Sequence, residues 1–263
     1  MGAARYLSIS RISFRSRTAY IMDVLAGSFF YALILFVFVQ LWTTLAGSGH
    51  FAIEGLGARE LVWYMVVTEG IMLGRARIEQ ETDEEVKTGS IAYLIGRPCH
   101  YVLFKFAVYW GDTLLRLIIN VAVGSLVALI AVGPPRFDQA HLLQVVVSAV
   151  LAFSLNFFMV MCISLAAFWV EDTMPFRWIY SKLLFILGGL FAPMEVYPAA
   201  VARLARALPF SYMLYAPARL FVQYDTALFW RIVVAQVGWI AVMAGLTFGL
   251  YGLGVKRINV NGG

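Results

Sequence analysis

Charge is scarce in this chain: Asp, Glu, Lys and Arg make up 13% of its 263 residues, about half the share of an average soluble domain. The polar sequence that exists is cut into short pieces between apolar runs, leaving no room for a separate soluble catalytic or nucleotide-binding domain. Cysteine and histidine are scarce as well. Cys99 and Cys162 have no metal-ligand spacing and indicate neither zinc nor a disulfide framework. His50, His100 and His141 lie outside the apolar runs or at their rims, so no Ser-His pair can be placed at depth. There is no Gly-x-Gly-Asp motif and no His cluster, which argues against an intramembrane protease, and no catalytic residue or metal ligand is assigned. A Gly-x-x-x-x-Gly-Lys-Ser/Thr loop is missing too, so ATP hydrolysis is not expected of this chain.

Apolar sequence is abundant. Hydrophobic residues make up 62% of the chain and the mean hydropathy is +0.81, which together with long uncharged runs indicates an all-α, polytopic membrane protein. Val24 to Gly49, Leu142 to Val170 and Ile232 to Val255 contain no Asp, Glu, Lys or Arg and are long enough to cross about 30 Å of hydrocarbon. Ala58 to Gly74, Leu103 to Val132 and Trp178 to Met194 complete six expected spans. With six spans both termini share a side. That side would hold thirteen Lys and Arg against six opposite, with Arg116 inside a span, and the asymmetry assigns the termini to the cytoplasm. The net charge of +5 is scattered along span ends, where orientation and lipid headgroups account for it better than nucleic acid does. Gly133-Pro134-Pro135 predicts a tight external turn.

Residues 1–21 carry four arginines ahead of the first apolar run. That run is too long for a signal peptide and lacks a small-residue cleavage pattern, so it reads as a retained span. The arginine-bearing segment is read either as an interfacial helix along the inner surface or as a basic flank that orients the first span. The densest charge lies further on, from Arg75 to Pro98. Within these residues Thr82 and Glu85 have the form of a capping box, Gly89 marks a bend, and Ile91 to Ile95 form a short apolar stretch closed by Gly96 and Pro98. A polar helix, a bend and a short apolar helix are expected. By composition alone this is either a docking element for something in water or a solvated hairpin.

The run Glu84-Glu85-Val86-Lys87-Thr88-Gly89-Ser90-Ile91, continuing to Arg97-Pro98, resembles the cytoplasmic loop after the second span in type-2 permeases of ATP-binding cassette exporters. Gly188 to Pro198 and Leu208 to Tyr212 are similar to that family's fifth-span exit and external re-entrant helices, with Pro193, Glu195, Pro198 and Pro209 at the matching positions. Order and spacing agree over nearly the whole chain, closest to a bacterial branch in which two permeases, alike or different, pair with a separate ATPase. The resemblance implies a single transmembrane permease domain over 1–263, with a cytoplasmic coupling loop at 75–100 and external helices at 193–219. It also implies that Glu84, Glu85, Lys87, Thr88 and Ile91 contact a nucleotide-binding subunit, which would hold ATP and magnesium while this chain binds no cofactor. The cargo implied is a hydrophobic or amphipathic drug, lipid, peptide or glycan, exported across a bacterial inner membrane through a permease dimer.

Ionisable side chains inside spans are costly and therefore candidates for function. Asp112 and Arg116 are four apart on one helical face and are expected to neutralise each other, the rival role being substrate contact. Glu69 has no partner within its own span, and Asn120 and Asn156 either line a pathway or stitch helices together. A proton-coupled secondary transporter using Glu69 and Asp112 is the competing function.

Overall fold

A computed structural model describes residues 2–47, 56–170 and 172–261. Helix accounts for 84% of it and no strand occurs among the described residues, which makes the chain all-α. Four helices are long and apolar enough to cross a membrane: Ile21–Leu45, Tyr101–Val132, Gln139–Phe168 and Thr226–Arg257. They correspond to α2 (Ile21–Gly47), α6 (Tyr101–Val132), α7 (Leu142–Leu165) and α11 (Thr226–Asn261). Three of them arise where the sequence runs uncharged for more than five turns, while α6 also carries Lys105, Asp112 and Arg116 in its first half.

The remaining helices are shorter. They are α1 (Gly2–Thr18), α3 (Ala58–Gly74), α4 (Ile78–Lys87), α5 (Ile91–Ile95), α8 (Met174–Leu187), α9 (Ala199–Ala207) and α10 (Tyr215–Val222). At 1.5 Å per residue, the 17 residues of α3 extend about 25 Å and the 14 of α8 about 21 Å, short of a full hydrocarbon crossing. The helix expected from Trp178 to Met194 in fact starts at Met174, with proline in its first turn, and stops at Gly188. Its far end turns through Gly189 into the broken segment that carries α9 and α10.

Hydrogen bonds fix how the helices run. Arg59 Nε donates to the Val132 carbonyl (3.0 Å) and the Ala76 amide donates to Thr113 Oγ1 (3.1 Å), so α3 is antiparallel to α6. Ser28 Oγ donates to Asn120 (2.9 Å) and Ser13 Oγ to Asp112 (2.7 Å), so α1 and α2 follow α6 in its own direction. Gln236 bonds Ser148 while Thr247 bonds Phe158, and α7 and α11 are therefore parallel. One end of the bundle thus gathers α4, α5 and the starts of α1, α6 and α8. Tyr251 of α11 stacks on Tyr101 at this same end. The opposite end gathers α9, α10, the Gly133 turn and the starts of α3, α7 and α11.

The central helix is α3. Leu61 through Val66 are all buried, wrapped by α2, α6 and α10 rather than facing outward on one side. Tyr31, Tyr64 and Tyr109 are fully buried, and each hydroxyl has a partner: Tyr31 donates to Val66 (2.9 Å), Tyr64 donates to Gly189 (2.6 Å) and Tyr109 accepts from Asn156 (3.1 Å). Satisfying these groups removes the penalty of burying an unpaired polar atom, which is largest where no water can substitute.

Candidate coupling site

The site is built on α4, whose buried face is Ile78, Thr82 and Asp83 and whose outer face includes the exposed Glu84, Lys87 and Thr88. The helix begins at Ile78 after Arg77, one turn earlier than Thr82 and Glu85 predict, so the capping box does not form. Thr82 lies buried in mid-helix instead. The acidic residues Glu79 and Glu81 occupy the first turn, where they complement the positive end of the helix dipole. Gly89 (φ 73°) sits in the left-handed region that a side chain disfavours and turns the chain into α5, as the sequence indicates.

Two sets of polar contacts fasten α4. Glu85 accepts from Lys105 Nζ (2.7 Å) and from the Tyr101 hydroxyl (2.6 Å), tying α4 to the start of α6. Lys105 is 3% exposed at its side chain and also lies 3.6 Å from Glu81. On the other flank, Asp83 accepts from Thr173 Oγ1 (2.9 Å) and pairs with Lys87 (2.9 Å) and Arg177 (3.4 Å), tying α4 to the start of α8. Arg177 also donates to the Glu79 carbonyl (3.3 Å). Lys87 reaches Asp172 as well (3.3 Å), and its ammonium is pushed above its usual range by the hydrogen bond to Asp83 and then by that to Asp172. Asp172 in turn accepts from the Met174 amide (3.0 Å), and that bond, with Lys87 second, holds its carboxyl below the usual range.

Ile91 does not face outward as a docking residue would. It is fully buried in the chain's own core, in the cluster that also holds Ile78 and Tyr101, and the exposed large apolar side chain on α5 is Tyr93, 74% exposed. The Arg97 guanidinium covers one side of the Tyr93 ring at 5.1 Å. Of the expected contact residues, Glu84 and Thr88 are free on the surface side, Thr88 Oγ1 bonding only to the Glu84 carbonyl (2.8 Å) and to Ser90 (3.0 Å). Glu85 and Lys87 are committed to the two fastenings. Asp83, Lys105 and Arg177 were missed from sequence; the Asp83–Lys87 spacing of four was the one legible sign.

The ionisable residues of the spans are arranged differently from expectation. Asp112 pairs with Arg17 of α1, not with Arg116: it accepts from Arg17 Nε (3.0 Å) and Nη2, and from Ser13 Oγ (2.7 Å). Its carboxylate sits on the face of α6 that α1 covers, and Gly111 beside it lets the α1 backbone approach. A side chain at Gly111 would overlap the Ser10 carbonyl oxygen and the Ser13 side chain. Arg116 keeps a buried Nε with no acceptor among the described residues. The segment read as an interfacial helix or a basic flank is thus packed along α6.

Asn120 accepts from Ser28 and joins α2 to α6. Asn156 accepts from the Tyr180 hydroxyl (2.7 Å) and from Arg75 (3.3 Å) and donates to Tyr109, joining α7 to α8, α6 and the end of α3. Glu69, 5% exposed in α3, makes no hydrogen bond or ion pair among the described residues. In the broken segment, Pro193, Pro198 and Pro209 precede or open Met194–Val196, α9 and Pro209–Tyr212. Glu195 there accepts from the Tyr215 hydroxyl (2.6 Å) and from Arg219 Nε (3.1 Å).

A helical bundle with four membrane-length helices and a charged helix fastened across one end defines a polytopic membrane protein. The family described as ABC-2 family transporter protein matches residues 29–262, and the chain belongs to it. This makes the chain a membrane permease of the ATP-binding cassette class rather than its catalytic component. No curated protein matches the chain.

Proposed function

We propose that this protein is the transmembrane subunit of an ATP-driven exporter. It works as one of two permeases, in a homo- or heterodimer, coupled to a separate nucleotide-binding subunit that holds ATP and magnesium. The observation carrying this reading is that α4 is ion-paired to α6 through Glu85–Lys105 and to α8 through Asp83–Arg177, so a displacement of α4 and α5 is transmitted to two helices at once. In this reading the whole chain is one permease domain in a bacterial inner membrane, its six membrane segments being the four long helices and the shorter α3 and α8. Both termini, α1 and the 75–100 loop are cytoplasmic, and α9 and α10 form the external re-entrant segment. The apolar character of the bundle supports an amphipathic cargo such as a drug, lipid, peptide or glycan.

The docking surface offered to the ATPase is Glu84, Thr88 and Tyr93. Substituting Glu84→Lys together with Tyr93→Ala should abolish co-purification of the ATPase and substrate-stimulated turnover in vesicles, leaving the melting temperature of the permease alone unchanged. Full stimulation in this variant would sink the proposal.

The competing reading, a proton-coupled carrier, is supported by Glu69, which is buried without a partner among the described residues. Asp112 gives it less support, because that carboxylate is already occupied by Arg17 and Ser13.

A further inference from the structure

At the end of the bundle opposite α4, a cavity of about 360 Å³ opens between α9, α10 and the start of α11, lined by Arg206, Arg219, Arg231, Glu195, Ser211 and Tyr215 among others. Three guanidinium groups converge on it. Only Arg219 has a carboxylate within ion-pairing distance among the described residues: its Nε binds Glu195, whose same oxygen also holds the Tyr215 hydroxyl. The Nη1 of Arg219 is buried and has no acceptor among the described residues. Asp225 faces Arg231 at longer range, but its carboxylate is spent on the Leu228 amide (2.9 Å), capping α11. Arg206 and Arg231 are exposed and form no ion pair with the described residues. The cavity therefore has more positive than negative charge.

We infer that this cavity is a binding site for a phosphate-type anion. Guanidinium groups present paired N–H donors matched to phosphate oxygens, and a phosphate group would neutralise Arg206 and Arg231, whose side chains line the cavity without a counterion among the described residues. A free phosphate-bearing solute and a phospholipid headgroup offer the same chemistry. The inference concerns binding to this chain alone and does not depend on the exporter reading.

The test uses the purified full chain in a neutral detergent, with its thermal unfolding followed in inorganic phosphate and in sodium chloride at matched ionic strength. Phosphate should raise the melting temperature above the chloride control. Arg206→Gln and Arg231→Gln, whose side chains carry no fold contact, should each weaken phosphate affinity about tenfold, the loss expected from one charge-assisted hydrogen bond, while melting unchanged without phosphate. No phosphate-specific shift, or a shift that both variants retain, overturns the inference. A second arm repeats the titration in nanodiscs with and without phosphatidylglycerol. If the anionic lipid abolishes the phosphate response, the site takes a lipid headgroup; if the response persists, it takes a soluble anion.

Discussion

Lys105 of α6 and Glu85 of α4 form a nearly dry ion pair, 2.7 Å apart, with the lysine side chain 3% exposed. Both residues lie at the edge of the apolar body, where a charge without a counterion is expensive. The pair ties α4 to α6, while Asp83 ties it to the start of α8 and α7 packs against it.

Removing the ammonium while keeping the stem, as in Lys105→Met, leaves Glu85 and Glu81 facing a low-dielectric wall. The expected loss is about 1–3 kcal/mol, the size of a charged hydrogen bond, because Glu85 and Glu81 keep 22% and 53% side-chain exposure and can hydrate. Thermal unfolding in detergent measures it. The charge-reversed double variant Glu85→Lys, Lys105→Glu should recover part of the stability and part of the ATPase-stimulated turnover; if neither single substitution affects turnover, α4 does not act through α6.

Ile91 and Tyr93 are two residues apart and have opposite roles. Ile91→Ala should destabilise the chain by about 2–5 kcal/mol, since it empties a fully buried site. Tyr93→Ala removes an exposed ring whose stack with Arg97 is worth about 0.5–1 kcal/mol, so stability should barely change. Its effect belongs in the interface: capture of the ATPase should weaken by about 2 kcal/mol or more if Tyr93 is a central anchor. Equal effects of the two substitutions on stability would contradict the burial difference.

Arg17 and Asp112 offer a cleaner pairwise measurement. A double-mutant cycle with Arg17→Gln and Asp112→Asn should give a coupling energy of about 0.5–3 kcal/mol, as for groups in direct contact. A coupling near zero would mean that α1 is held to α6 by other contacts.

The helices α2, α7 and α11 were legible because more than five uncharged turns leave one physical solution in lipid, and the ends of the shorter α3 matched to the residue. The bend at Gly89 was legible for the same kind of reason, a local backbone requirement. What failed was anything decided by a distant partner. Asp112 has a suitable arginine four residues on, yet it chose Arg17, 95 positions earlier, because α1 covers its face. Ile91 could not be oriented because α5 has five residues, too few to show a periodicity. The start of α4 was misread because acidic residues recur through Glu79, Glu81, Asp83, Glu84 and Glu85, so the dipole argument fits either turn. The end of α8 was overrun because Gly188 and Gly189 are apolar in composition while breaking the helix in fact.

Glu69 discriminates between the two transport readings. It lies 5% exposed in α3 without a hydrogen bond or ion pair among the described residues, so replacing its carboxyl by an amide or an alkyl group breaks no contact there. A charged carboxyl buried without a counterion is unfavourable, so Glu69→Gln and Glu69→Leu should leave the melting temperature unchanged or raise it. If Glu69 serves only as a wall of the bundle, ATP-driven uptake into inverted vesicles should persist in Glu69→Gln while the Glu84→Lys, Tyr93→Ala variant fails. If it carries a proton, the order reverses: an imposed pH gradient drives uptake in the parent, Glu69→Gln abolishes it, and the α4 surface is irrelevant. The two variants therefore assign the driving force independently of each other.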